Sequence, residues 1–199
     1  MNKNLKVAVI LADGFEEGEA LFVVDIMRRS GITCETVSID KIMVEGSHGI
    51  KVQADRLIKE VDKESYDMIV LPGGQPGADN LRDCEEVITW VKNFAQNDDC
   101  KWIAAICAAP QVLAKAGVIT GKRVTSYPAD EYRAILKDAK YIDDIKDMDE
   151  MVVADGNIIT SRGPATVLPF AYKLVETLGV STEGIREGML YNSLRESIK

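Results

Sequence analysis

Three short runs in this chain are apolar almost without alternation: "LKVAVILA" at 5–12, "YDMIVLPGG" at 66–74 and "KWIAAICA" at 101–108. A strand buried on both faces reads this way, because successive side chains point to opposite sides and neither side meets water. The runs are therefore predicted to be strands of a parallel sheet covered by helices. "ITCETVSI" at 32–39 alternates more and suits a neighbouring strand. Helical patterns lie between them. "EEGEALFVVDIMRRSG" ends in basic residues and Gly31, a stop signal. "EEVITWVKNFAQ" carries Val87, Ile88, Val91, Phe94 and Ala95 on one helical face. Strand, helix, strand, helix implies an α/β fold with right-handed crossovers.

Two side features read as hairpins. "IMVEGSHGIKVQAD" turns at Gly46 to Gly49, and "MVVADGNIITS" turns at Asp155-Gly156-Asn157. A final long helix is predicted from about Pro164 to Leu178. Pro164 suits its first turn, and Pro169 should bend it or delay its regular part. With 199 residues and no linker, residues 1–199 are expected to form a single domain.

The net charge of −8 comes without any Lys/Arg block, which argues against nucleic acid as a main partner. The first apolar run is too short for a signal peptide and ends in Asp-Gly and glutamates. No run approaches the ~18 apolar residues that a membrane helix needs. The expectation is a soluble, cytoplasmic protein with no membrane or nucleic-acid partner. Its four cysteines, Cys34, Cys84, Cys100 and Cys107, show neither CxxC nor zinc spacing and are expected to be reduced thiols. The single histidine, His48, excludes a metal site built on two imidazoles, and no metal is expected.

In open parallel sheets, sites form at the C-terminal ends of strands. "DGFEEGE" follows the first run, "PGGQPGADN" the third predicted strand, and Cys107 the fourth. A later segment, "KRVTSYPAD", supplies Tyr127 and Pro128, and the last strand ends in "TSRGPAT". These corners can converge on one edge. At Cys107 a strand becomes a helix. Its thiolate would face the helix N-terminus, whose free N–H groups and dipole lower a thiol pKa and raise nucleophilicity. The backbone N–H groups of Cys107, Ala108, Gly73 and Gly74 could form an oxyanion hole. A small buried residue at a packing corner is the other reading of the same cysteine.

Glu16, Glu17 and Glu19 open the first helix, where acids complement the dipole. Glu16 and Glu19 also share a face, so one carboxyl could reach the thiol. Burial would raise its pKa and make it a proton donor. "LPGGQPG" lacks the Gly-Lys-Ser/Thr of a phosphate loop and reads as a tight turn. Cys34, Cys84 and Cys100 fall in element bodies or edges, and His48 in a hairpin turn reads as a surface histidine.

Taken together, "ADGFEEGEA", "VLPGGQPGADNL", "AAICAAPQVLAKAG", "VTSYP" and "TSRGPAT" resemble, in order and spacing, the motifs of the DJ-one (ThiJ/PfpI) superfamily, most nearly its DJ-one branch. The resemblance covers nearly the whole chain. It implies a flavodoxin-like three-layer sandwich with a mostly parallel sheet, of the class I glutamine amidotransferase-like kind, usually as a homodimer. It implies that Cys107 is the nucleophile on a strained elbow and that Glu19 hydrogen-bonds its thiol or sulfinate. Glu16 would support the site and the dimer contact, and Gly73, Gly74 and Ala108 would be backbone donors. Arg29 and His48 match basic positions near the dimer-side rim.

Two departures from the family pattern bear on activity. Family proteases place histidine directly after the cysteine, where this chain has Ala108. The DJ-one branch often has histidine before the proline of "VTSYP", where this chain has Tyr127. A phenol, with a pKa of ~10, is a poor base near neutrality but can donate a hydrogen bond.

The first functional expectation is a cofactor-free enzyme. Cys107 would add to a small 2-oxoaldehyde such as methylglyoxal, Glu19 would move protons, and water would release a hydroxy acid. Acting on a glycated amine or thiol, the same chemistry is deglycase activity. The second expectation is an oxidative-stress sensor or chaperone switched by Cys107 sulfinate. A peptidase- or amidotransferase-like hydrolase comes third, since its histidine is missing.

Overall fold

The computed structural model describes residues 4–97, 101–144 and 150–197. From the N-terminus, β1 (Lys6–Leu11) leads through α1 (Glu17–Arg29) to β2 (Thr33–Ser38). A hairpin of β3 (Met43–Glu45) and β4 (Lys51–Gln53) follows, then the short β5 (Arg56–Leu57). β6 (Met68–Leu71) leads through α2 (Gly77–Asp83) and α3 (Glu85–Ala95) to β7 (Trp102–Ile106), with α4 (Pro110–Ala116) after it. Next come β8 (Arg123–Val124), α5 (Asp130–Ile135) and β9 (Lys140–Tyr141), then the hairpin of β10 (Val152–Asp155) and β11 (Ile158–Ser161). Helices α6 (Val167–Thr177), α7 (Glu183–Gly188) and α8 (Tyr191–Ser197) follow.

The main sheet has seven strands in the order β10-β11-β7-β6-β1-β2-β5. Its pairings are parallel except β10 with β11. The unbroken apolar runs are explained by its two cores. In β1, Val7, Val9 and Leu11 enter one core with Ile26 and Met27 of α1 and Phe170 of α6. Ala8 and Ile10 enter the other, with Trp90 of α3 and Val112 of α4. β6 and β7 divide the same way, Val70 and Ala104 to one side, Ile69 and Ile103 to the other. Each Val or Leu so buried contributes about 1.5–3 kcal/mol. Helices on both faces make the fold a flavodoxin-like α/β sandwich with a mostly parallel sheet.

Both hairpins form antiparallel pairs, β3 with β4 and β10 with β11. On α3 the apolar face includes Trp90, which packs edge-on against Phe94 at 6.0 Å and Tyr66 at 5.4 Å. "KRVTSYPAD" contributes no strand to the main sheet; β8 pairs in parallel with β9 instead. The regular part of the Pro164 helix is delayed to Val167, after a 3-10 turn over Pro164–Thr166. Pro169 then falls in the first turn of α6, where its missing N–H leaves no bond unmade. That helix is not the last, since α7 and α8 follow it. Among the described residues no helix is long and apolar enough to cross a membrane. Cys100 lies outside the described residues.

The sheet order changes direction beside β1: α1 carries the chain to β2 on one side, and the chain later returns to β6 on the other. A crevice opens at the carboxyl ends of strands at such a switch point. The loops after β1 and β6 meet there: Glu16 N–H donates to Gly73 O at 2.9 Å, and Gly77 N–H to Gly14 O at 3.1 Å. Cys107 directly follows β7, the strand next to β6.

Candidate functional site

Cys107 has φ of +63°, in the left-handed region. A non-glycine residue there costs roughly 1–2 kcal/mol, so the surrounding structure must hold it. Its N–H donates to Ser161 O of β11 at 3.1 Å, and its carbonyl accepts from Tyr127 N–H at 2.8 Å. Both backbone groups are thus fixed by segments distant in sequence. The half-buried side chain is set against Gly73, where an added Cβ would lie 2.7 Å from Cys107 Cβ and 2.8 Å from Glu19 Oε2. Gly74 has φ of +86°, and a Cβ on it would meet Glu16 N at 2.3 Å. The two glycines of "PGG" are required by close approach.

Glu19, in the first turn of α1, is fully buried. Its Oε2 accepts from Gly73 N–H at 2.8 Å, and its Oε1 lies buried without a conventional hydrogen-bond partner in the structure. Burial pushes this carboxyl up to about 7, against the Gly73 N–H and the Cys107 thiol, which favour its ionised form. Glu16 is the N-cap of α1: its Oε2 accepts from Glu19 N–H at 2.6 Å. Glu16 therefore acts on the backbone of Glu19 and caps the helix that carries it.

The thiol departs from the helix-dipole expectation. Gly74 and Ala108 N–H groups face its sulfur and favour thiolate, but burial first, then the charge and hydrogen bond of Glu19, push its pKa well up. The following helix, α4, has seven residues and starts only at Pro110, so its dipole is short and set back. Desolvation wins, and the pair keeps its proton on sulfur when Glu19 is ionised. The expected oxyanion donors are also reduced. Gly73 N–H is taken by Glu19 and Cys107 N–H by Ser161, leaving Gly74 and Ala108 on the sulfur.

Tyr127 stands beside this elbow with its side chain 48% exposed, edge-on to Tyr132 at 6.3 Å between ring centroids. Arg29 is not brought to it. It ends α1, on the order of 15 Å along the axis from Glu19 by helical rise, and pairs with Asp25 at 2.8 Å. His48 is exposed but not free: its Nδ1 lies 2.8 Å from Glu17 Oε2. Cys34 is buried in β2, and desolvation pushes its thiol up to about 12. Cys84 is half-buried at the N-terminus of α3.

Glu17, one of the acids that complement the dipole of α1, has a separate task. It is buried, and burial pushes its carboxyl up. The His48 ring and the backbone N–H groups of Glu17, His48 and Ile50 outweigh this and hold it down at about 2. It thereby clasps the β3–β4 turn to α1. One ligand atom each of Glu16, Glu17 and His48 lie within 4.8 Å of one another, the described grouping that could hold a metal. Glu16 Oε2 is engaged by Glu19 N–H, and both Glu17 oxygens by His48, so these groups work as a hydrogen-bonded clasp.

Glu19 should lower stability as pH rises. An acid that titrates at about 7 folded and 4.5 unfolded binds more protons in the folded state, so stability falls as pH rises between those values. Glu19→Gln cannot ionise and can still accept from Gly73. We expect it to exceed the parent by about 1–3 kcal/mol above pH 7, the gain vanishing below about pH 4.5. Thermal unfolding at pH 4.5 and pH 8 checks this; equal gains at both would contradict the raised carboxyl.

A family model, the DJ-1/PfpI family, matches residues 5–177. Protein dj-1beta of Drosophila melanogaster is 39% identical over 171 residues, 85% of this chain and 87% of that protein. The crystal structure of Drosophila DJ-1beta aligns with a TM-score of 0.87 at 35% identity, covering 94% of this chain and 98% of that one. A deglycase of Pyrococcus abyssi is 30% identical over 174 residues, 87% of this chain and 99% of that protein. Oxidized Toxoplasma gondii DJ-1 aligns with a TM-score of 0.80 at 32% identity, covering 96% and 98% of the two chains. The family match runs from β1 to the end of α6 and takes in every corner that meets at Cys107, so the chain belongs to the DJ-1/PfpI family.

Proposed function

We propose that this protein is a cofactor-free, cysteine-dependent enzyme of glyoxalase or deglycase type acting on small 2-oxoaldehydes. One observation carries the reading: a thiol on a strained elbow faces a fully buried carboxyl that titrates near neutrality. Such a carboxyl can take and return protons at physiological pH. As the sulfur of Cys107 bonds to the aldehyde carbon, Glu19 carboxylate takes the S–H proton and then gives it to the new alkoxide, forming a hemithioacetal. Glu19 next removes the hydrogen from that carbon and returns a proton to the adjacent carbonyl carbon, while the hydroxyl proton on the first carbon passes to the oxygen of the second. The first carbon is oxidised and the second reduced within the substrate, leaving a thioester of the 2-hydroxy acid. Water cleaves the thioester and restores the thiol. The sum is methylglyoxal plus water giving lactate, with no external oxidant or reductant. Gly74 and Ala108 N–H groups favour negative charge at the sulfur as it leaves.

Support comes from family membership and from the Pyrococcus relatives named as deglycases. We propose a homodimer as the working form, joined where Leu21 and Phe22 of α1 and Met43 and Ile50 of the β3–β4 region expose apolar surface. The test is a glutathione-free incubation with methylglyoxal, following lactate. Many turnovers per protein molecule are expected, and none would overturn the reading.

A second reading, a redox sensor, is favoured by the same donors: protonated Glu19 with Gly74 and Ala108 N–H would hold a sulfinate on Cys107. No turnover combined with stoichiometric oxidation of Cys107 would select it.

Tyr127 sets the rate under the first reading. It stands where an imidazole could share proton transfer, so Tyr127→His is expected to raise kcat about 10-fold with little effect on folding. If the phenol instead donates a hydrogen bond to substrate, Tyr127→Phe weakens binding and Tyr127→His gains nothing. Identical kinetics in all three proteins would remove Tyr127 from the site.

A further inference from the structure

Tyr132 belongs to none of the motifs, yet it touches both sides of the cysteine corner. It is 7% exposed, on the short helix α5. Its hydroxyl accepts from Gln75 Nε2 at 3.1 Å, its ring backs Tyr127, and Ala78, Ala108 and Ala129 pack around it. Both flanks lead to the sulfur. Gln75 directly follows Gly74, and Ala108 directly follows Cys107; Gly74 and Ala108 are the residues whose N–H groups favour negative charge on the sulfur.

The Gly73–Gln75 loop is stitched on its inner side by Gly73, through Glu19 at 2.8 Å and Glu16 at 2.9 Å. Gly74 O accepts from Ala78 N–H of α2 at 2.9 Å, and beyond it the Gln75 amide is the loop's side-chain anchor. Its other contact, to Asp79, is 3.4 Å long, and Asp79 is held more closely by Arg82 at 2.9 Å. A 3.4 Å contact is a weak bond. The hydroxyl of Tyr132 is therefore the firmer hold on the Gln75 side chain.

We propose that Tyr132 is a positioning residue: by accepting from Gln75 it fixes the Gly73–Gln75 loop so that Gly74 N–H stays on the Cys107 sulfur. This deepens the reading of Cys107 as the nucleophile and rests on it. The ionisable groups that face the thiol are Glu19 from α1, with Glu16 behind it, and Tyr132 itself from α5.

The experiment is iodoacetamide alkylation of Cys107 across pH, followed by peptide mapping, in the parent, Tyr132→Phe, Gln75→Met and the double variant. Each single change should slow alkylation at pH 8 by about 3- to 10-fold, the range one hydrogen bond supplies. It should move the rate–pH profile upward by about half to one pH unit. The double variant should be no slower than either single one. Gln75 is exposed, so Gln75→Met keeps the test open even if Tyr132→Phe disturbs folding. An unchanged profile in Gln75→Met, or losses that add in the double variant, would overturn the proposal. Alkylation needs no aldehyde chemistry. A parent that alkylates as described but never produces lactate would remove the proposed enzyme activity and leave Tyr132 in its role.

Discussion

Lactate formation from methylglyoxal will fall by at least about 10³-fold in Cys107→Ser, because a hydroxyl is a far weaker nucleophile than sulfur and is harder to deprotonate. The fold should survive. The elbow is held by backbone bonds, Cys107 N–H to Ser161 O and Tyr127 N–H to Cys107 O, and neither involves the side chain that changes. Loss of activity can then be assigned to the missing sulfur once circular dichroism and the thermal midpoint match the parent. The other described thiols offer no substitute. Cys34 is buried within β2 with its pKa raised to about 12, and Cys84 opens α3 and has neither Glu19 nor the Gly74 and Ala108 N–H groups beside it. Activity retained in Cys107→Ser would place the chemistry elsewhere in the molecule.

The features that were legible in the sequence are those fixed by local chemistry. β1, β6 and β7 show as unbroken apolar runs because each strand feeds two cores, and this leaves no position free to be polar. The corner glycines and Cys107 show because the chain turns sharply after a buried strand. What stayed hidden depends on depth and on partners distant in sequence. The direction of the thiol shift turns on burial and on the nearness of Glu19, and no residue spacing states either. Gly73 is a donor, but its N–H is spent on Glu19. Glu17 is chemically the same residue as Glu16 and Glu19, and only the β3–β4 turn folding over it makes it a structural clasp. Tyr132 lies in a six-residue helix just past the "VTSYP" motif, and the role proposed for it depends on Gln75, far back in the chain. The short β8 and the helices α7 and α8 had too few periodic residues to stand out.

Glu19→Gln separates proton transfer from shape. The glutamine occupies the same volume and its carbonyl can still accept from Gly73 N–H, so the loop after β6 stays in place. It has no proton to exchange near neutral pH. Turnover should therefore fall by about 10²- to 10⁴-fold, the usual worth of a general acid–base group, while the protein becomes more stable above pH 7. The parent rate should itself depend on this carboxyl. The form that accepts the S–H proton is the ionised one, so kcat/KM should climb as pH rises through about 7, where Glu19 titrates. Glu19→Gln should show a low rate without that inflection. Activity and stability then move in opposite directions on one substitution, which loss of folding cannot imitate. A variant with full turnover and the parent's pH profile would mean that another group carries the proton, and the buried carboxyl would be left with the task of holding Gly73.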